Sequence, residues 1–175
     1  MNADNGNLYS EEIVALMNIP PRRFSEVVVS NVSELMRRSY SPEPSEHPFL
    51  VWLWKHLDEG VRCAVRFELL PYFNPQGFQV TVLRRRQRAT INRGKPHAPI
   101  ILDLRNVASL LFGKELFTPD RYYWNFSDEM TLIQQVAQAQ IAILKYGLLW
   151  IEDPKSNTGK VKALMRKEMQ AKATK

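Results

Sequence analysis

The chain holds a single cysteine, Cys63, among 175 residues, so no disulfide can form within it. That scarcity fits a reducing compartment. Glycine is sparse too, at seven, and neither common glycine-rich phosphate loop is present. No Gly-x-Ser-x-Gly nucleophile elbow appears. His47, His56 and His97 stand far apart with no cysteine pair beside them, so no metal site of close sequence spacing exists. The longest apolar runs, Phe49 to Trp54 and Leu148 to Ile151, are far short of a membrane span. Met1 to Gly6 offers no basic region ahead of an apolar stretch, so no secretory signal is visible and a cytoplasmic location is expected.

What is present is enough for one core. Apolar residues make up 45% of the chain and charged residues 24%, which is the balance of an ordinary globular protein. The net charge of +6 is unevenly placed. From Pro154 to Lys175 seven basic residues face one acid, Glu168. Taking these from the totals of 24 and 18 leaves 17 of each sign in the body, which is neutral. Within that body the stretch Arg84 to His97 holds six basic residues and no acid. The chain therefore reads as a mildly acidic scaffold with two basic appendages.

Local pattern predicts the elements. A short helix is expected from Ser10, stopped by Pro20 and Pro21. A second is expected over about 25–38, on the spacing of Phe24, Val28, Val32 and Leu35. Phe49 to Trp54 reads as a strand. Arg62 to Leu69 alternates cleanly, with Cys63, Val65, Phe67 and Leu69 on one face and Arg62, Ala64, Arg66 and Glu68 on the other. Phe78 to Leu83 reads as the returning strand of a hairpin. Its continuation would put Arg84 and Arg86 on the face of Phe78, Val80 and Val82. Unpaired guanidinium groups are prohibitively costly to bury, so the strand is expected to end near Leu83 or to leave through a bulge. The arginines would then form an outward ribbon.

Residues 99–104 suit a strand and 106–112 a short helix, while Arg121 to Phe126 suits an aromatic strand. Ser127 is positioned to cap a long helix to about Tyr146, with an apolar stripe of Met130, Ile133, Val136, Ala137, Ile141 and Leu144. Gly147 would close it in the left-handed conformation, and Trp150 and Ile151 would pack on the core. The aromatic residues Trp52, Trp54, Tyr122, Tyr123, Trp124 and Trp150 are read as core, with base stacking as the competing role. The expected whole is one α+β domain over 1–153, in which an antiparallel sheet packs on two main helices. A basic tail or helix follows over 154–175.

Trp124-Asn125-Phe126-Ser127, the amphipathic helix after it, and Lys145-Tyr146-Gly147-Leu148-Leu149-Trp150 resemble the C-terminal half of a family of small uncharacterised bacterial domains. The resemblance implies an α+β sheet-and-helix fold and no activity. The run from Arg84 and the tail lie outside it.

No constellation of catalytic residues is visible, and nothing in the sequence calls for a cofactor or metal. Cys63, on the apolar face of a strand, reads as a buried inert thiol. The basic run carries the functional reading. Arg84, Arg85, Arg86, Arg88, Arg93 and Lys95 are the expected anion contacts, with Lys160, Lys162, Arg166 and Lys167 of the tail as auxiliaries. Arg93-Gly94-Lys95-Pro96 also resembles the core of minor-groove AT-hook peptides, with lysine in place of the second arginine. The expectation is a non-enzymatic binding or accessory protein that contacts an anionic macromolecule, not a membrane. Three alternatives stay open: direct binding of DNA or RNA, a protein-partner module such as an accessory of a bacterial toxin or defence system, and an enzyme whose groups meet only in space.

Overall fold

Proline opens the first well-defined helix. In a computed structural model, which describes residues 14–15, 17–57, 61–71, 74–86, 100–117, 123–152 and 163, helix α1 spans Pro21–Asn31. A residue without an amide proton is tolerated in the first turn, where N–H groups have no intrahelical acceptor. The expected stop is thus a start, and residues 10–13 of the expected earlier helix lie outside the described residues. The helix expected over 25–38 breaks at Val32, whose φ of −106° and ψ of 37° are not helical; α2 follows over Ser33–Arg37.

Strands β1 (Ser41–Glu43), β2 (Leu50–Leu57), β3 (Val61–Leu70), β4 (Asn74–Arg86) and β5 (Ile100–Asp103) form an antiparallel sheet in that order. The short β6 (Trp124–Asn125) pairs with β4 at Gly77 and Phe78. Helix α3 (Leu104–Phe112) follows β5 directly, so the strand and helix readings of 99–112 both hold. The Asp103 side chain starts it by accepting a 2.8 Å hydrogen bond from the Arg105 amide. Helix α4 (Glu129–Ala142), a π-helical turn (Ile143–Gly147) and α5 (Leu148–Ile151) complete the described elements. The architecture is the expected antiparallel α+β fold. Among the described residues, no helix is long and apolar enough to cross a membrane.

The helices gather on one face of the sheet. Phe24 of α1 lies 5.7 Å from Phe78, which stacks on Trp124 at the same distance. Val51, Leu53, Cys63, Val65, Phe67, Val80 and Val82 share this buried layer with Trp150 and Ile151. Burying each such side chain contributes about 1.5–3 kcal/mol.

Four expectations are corrected here. First, β4 does not end near Leu83. It pairs with β3 without interruption from Leu69↔Phe78 to Val61↔Arg86. Arg84, opposite Cys63, is only 7% exposed on the helix-covered face. Its charge is not isolated there, which removes the objection to burying it. Second, Asp128 rather than Ser127 caps α4. Its carboxylate accepts from the Thr131 amide, and the Thr131 hydroxyl answers the Asp128 amide in a capping box. Third, the buried stripe of α4 is Leu132, Val136, Ala139 and Ala142, continued by Ile143. Met130, Ile133, Ala137 and Ile141 face outward. Fourth, Gly147 is right-handed, with φ −66°, inside a continuous helical run. A Cβ there would stand 3.1 Å from Leu104 Cδ1 and 3.2 Å from Val82 Cγ1, so close approach to the sheet is what requires glycine.

Candidate functional site

The alternation of β2, β3 and β4 sends every second side chain to the face opposite the helices. The register assembles that face in rows. Glu43, Trp52, Arg66, Thr81 and Asp103 stand side by side across five strands. Ser41, Trp54, Ala64, Leu83 and Ile101 make the next row, and His56, Arg62 and Arg85 the one after. On the other flank lie Leu50, Glu68 and Gln79.

Two indoles dominate this surface. Trp52 and Trp54 are half-buried and stacked, with ring centres 5.4 Å apart and planes 21° from parallel. Each carries a guanidinium. Arg62 lies 4.4 Å over the Trp54 ring and Arg66 5.3 Å over that of Trp52. An arginine on an aromatic face is attracted by the ring quadrupole and presents a flat, cationic, apolar-backed plane. Carboxylates hold both arginines in place: Arg62 pairs with Glu43, and Arg66 with Glu68 at 2.8 Å. Gln79 fixes Glu68 in turn with a 2.8 Å hydrogen bond.

The surface leaves polar capacity unused. Arg62 Nε, Arg66 Nε and Thr81 Oγ1 are sealed from solvent without a hydrogen-bond partner. Such orphaned groups are uncommon in folded proteins. Thr81 is itself only 6% exposed and sits between Arg66 and Asp103. Burial pushes the Asp103 carboxyl above its usual range, opposed by the Arg105 amide and charge.

The expected contact residues separate on this frame. Arg85 is exposed on the Trp–Arg face. Arg84 is withdrawn into the covered side. Arg86 ends β4, and its side chain lies outside the described residues, as do Arg88, Arg93, Lys95, Lys160, Lys162, Arg166 and Lys167. β4 ends at Arg86 and β5 begins at Ile100, and residues 87–99 between them lie outside the described residues. The sequence reading missed Trp52, Trp54, Arg62 and Arg66 as a group. The signal available was the alternation of β3, which separates both arginines from Cys63.

A second polar cluster lies on the covered side. Lys55, Cys63 and Arg84 are neighbours across three strands. Lys55 binds Glu152 at 2.9 Å and stands 5.4 Å over the Tyr40 ring. The Cys63 thiol donates to the Ile151 carbonyl at 3.0 Å. Burial pushes its pKa up to about 12, against the lowering influence of Arg84, so the thiol stays protonated. Burial first, and the Glu152 charge next, raise the Tyr40 hydroxyl well above its ordinary range. These groups lock the adjoining ends of β2 and β3 to the C-terminal end of α5. His47 and His56 are exposed and are not brought together, and among the described residues no three His, Cys, Asp or Glu side chains cluster as metal ligands do.

The resemblance drawn from Trp124 to Trp150 rests on those residues alone: no family model, curated protein or solved structure matches the chain.

Proposed function

We propose that the protein is a non-enzymatic binding protein whose ligand is single-stranded nucleic acid stacked on the Trp52–Trp54 side of the sheet, opposite the helices. The observation that carries this reading is the stacked pair Trp52 and Trp54 with Arg62 and Arg66 on their rings. Unpaired bases expose π-faces that stack on indole and guanidinium planes, each worth about 1–3 kcal/mol. A duplex keeps those faces hidden, so a flat aromatic platform selects single strands.

Charge has a separate role. Glu43 and Glu68 already balance Arg62 and Arg66, so these two serve as stacking planes more than as phosphate clamps. Phosphate attraction falls to Arg85 and to the basic residues that follow it in sequence.

Fluorescence anisotropy with labelled 20-nucleotide oligo-dT and oligo-U, over a salt series, tests the reading. Binding is expected at low salt and is expected to weaken steeply as salt rises. It should fall strongly in Trp52→Ala/Trp54→Ala and persist partly in Arg85→Ala. Absence of any shift at low salt for both oligonucleotides would end the proposal.

A further inference from the structure

Helix α4 presents an outer face that is unusual for an exposed helix. Met130 is 71% exposed, Ile133 37% and Ile141 62%. Ala137 is exposed between them, and Leu144 in the next turn is half-buried. These positions recur every three or four residues and form one apolar stripe on the side away from the sheet. No charged residue stands between Glu129 and Lys145; the polar positions beside the stripe are glutamines. Solvent-facing helices ordinarily carry Lys, Glu or Arg on that side.

The stripe is symmetric about Ala137. Ile133 lies four residues before it and Ile141 four after; Met130 lies seven before and Leu144 seven after; Gln134 and Gln140 flank it at three. We infer that this face pairs with a second copy of the same chain, the two α4 helices crossing antiparallel on a twofold axis at Ala137. Ile133 of each copy then meets Ile141 of the other, and Met130 meets Leu144. A small residue at the crossing lets the axes approach to about 8 Å. Such an isologous contact needs a patch complementary to itself.

Two further features select this occupant. Leu144 and Leu149 line an open groove of about 390 Å³ with Arg38, Leu148 and Glu152. Antiparallel pairing brings the other copy's Met130, at 71% the most exposed large apolar side chain among the described residues, to that groove, and the flexible thioether suits an irregular slot. The stripe on α4 is also free of charge between Glu129 and Lys145. Twofold pairing sets no like charges together; Gln134 is exposed and can both donate and accept across the seam, while the Gln140 carbonyl already accepts from the Glu34 and Leu35 amides of its own chain. A nucleic acid, a strongly acidic or basic protein surface, or a lipid headgroup layer would find no net charge to match, since the stripe has none and the groove holds one of each sign, Arg38 and Glu152. The inference does not depend on the nucleic-acid reading.

Light scattering coupled to gel filtration on the full chain tests it. The expected mass at tens of micromolar is twice the 20.4 kDa chain. Ala137→Glu places two like charges at the twofold axis and should raise the dimer dissociation constant at least tenfold, with an unchanged circular dichroism spectrum. If that variant folds poorly, Ala137→Cys supplies the second arm: mild oxidation should join the copies through the new thiols, while the wild-type chain, whose only thiol is buried, should not crosslink. A monomer at 100 µM, a dimer indifferent to Ala137→Glu, or failure of Ala137→Cys to crosslink would overturn the inference.

Discussion

The guanidinium carbon of Arg62 sits 4.4 Å from the centre of the Trp54 ring, and Glu43 of the neighbouring edge strand holds it there. The ring contact ties the paired strands β3 and β2, the Glu43 ion pair reaches across to β1, and together they give this face a rigid cationic plane. Its worth is measurable. A double-mutant cycle on Arg62→Ala and Trp54→Ala should give a coupling of about 0.5–1 kcal/mol in folding stability. In oligonucleotide binding, Trp54→Ala alone should cost about 1–3 kcal/mol. A folding effect without a binding effect would make the stack structural only.

Arg84 and Arg85 are adjacent but lie on opposite faces, and their substitutions should separate stability from binding. Arg84→Ala removes a long side chain that is almost wholly buried, and should destabilise by about 2–4 kcal/mol. Arg84→Met keeps more of the packing and should cost less. Arg85→Ala should leave the urea midpoint within about 0.5 kcal/mol of wild type. It should instead reduce the slope of log affinity against log salt by about 0.7 for a single-stranded ligand.

This pair also marks where the sequence stopped being legible. The strict alternation of Arg62 to Leu69 names a half-buried strand because a two-residue period has few other readings. The same rule, carried past Leu83, pointed to a buried Arg84, and the desolvation penalty then argued it away. That step fails because a sequence does not show what stands opposite. Phe49 to Trp54 is apolar throughout, so nothing in it separates Val51 and Leu53, which enter the core, from Trp52 and Trp54, which do not. Helix α4 carries two apolar stripes at the same period. The one named from sequence is the exposed one, apart from Val136, because Leu132, Ala139 and Ile143 fit the pattern equally well.

Gly147 should resist even the smallest side chain. Its right-handed backbone would accept alanine with a gain of about 0.5–1 kcal/mol in chain entropy. The added methyl would press on Leu104 and Val82, both buried and both tighter than ordinary contact. Overpacking costs about 1–3 kcal/mol, so Gly147→Ala should be net destabilising by about 1 kcal/mol in urea unfolding. Leu104→Val in the same chain should relieve part of the loss. A stabilised Gly147→Ala protein would show that the sheet yields.

Acid stability has two opposing contributions. The Thr131 amide and the Ser127 and Thr131 hydroxyls hold the Asp128 carboxyl below its usual 3.8, and Arg23 lowers Glu129 below 4.5. The stability these contribute is present above the ordinary carboxyl range and is lost as pH falls through the lowered values. Asp103 works in the other direction: its raised pKa makes the ionised form less favourable in the fold, so its contribution falls as pH rises above 3.8. Urea midpoints measured from pH 7 to 2 should therefore drop less steeply for Asp128→Asn than for wild type. Asp103→Asn should show the reverse, a steeper acid limb.

The thiol of Cys63 reports on the covered side. With its pKa at about 12, native protein should react with a disulfide reagent at pH 8 only as fast as it opens. Arg84→Met, which loosens the covered side, should therefore speed labelling in proportion to the stability it loses. Fast stoichiometric labelling of wild type would contradict the burial described here.

The account's central claim is that unpaired bases stack on the Trp52–Trp54 face, and photocrosslinking tests it most directly. Wild-type protein bound to 5-iodouridine-substituted RNA is irradiated, and the adducted peptides are mapped. Adducts on Trp52 and Trp54, lost in Trp52→Ala/Trp54→Ala while Trp124 and Trp150 stay unmodified, are the predicted result. Adducts confined to residues 155–175, with none on the sheet, would contradict it.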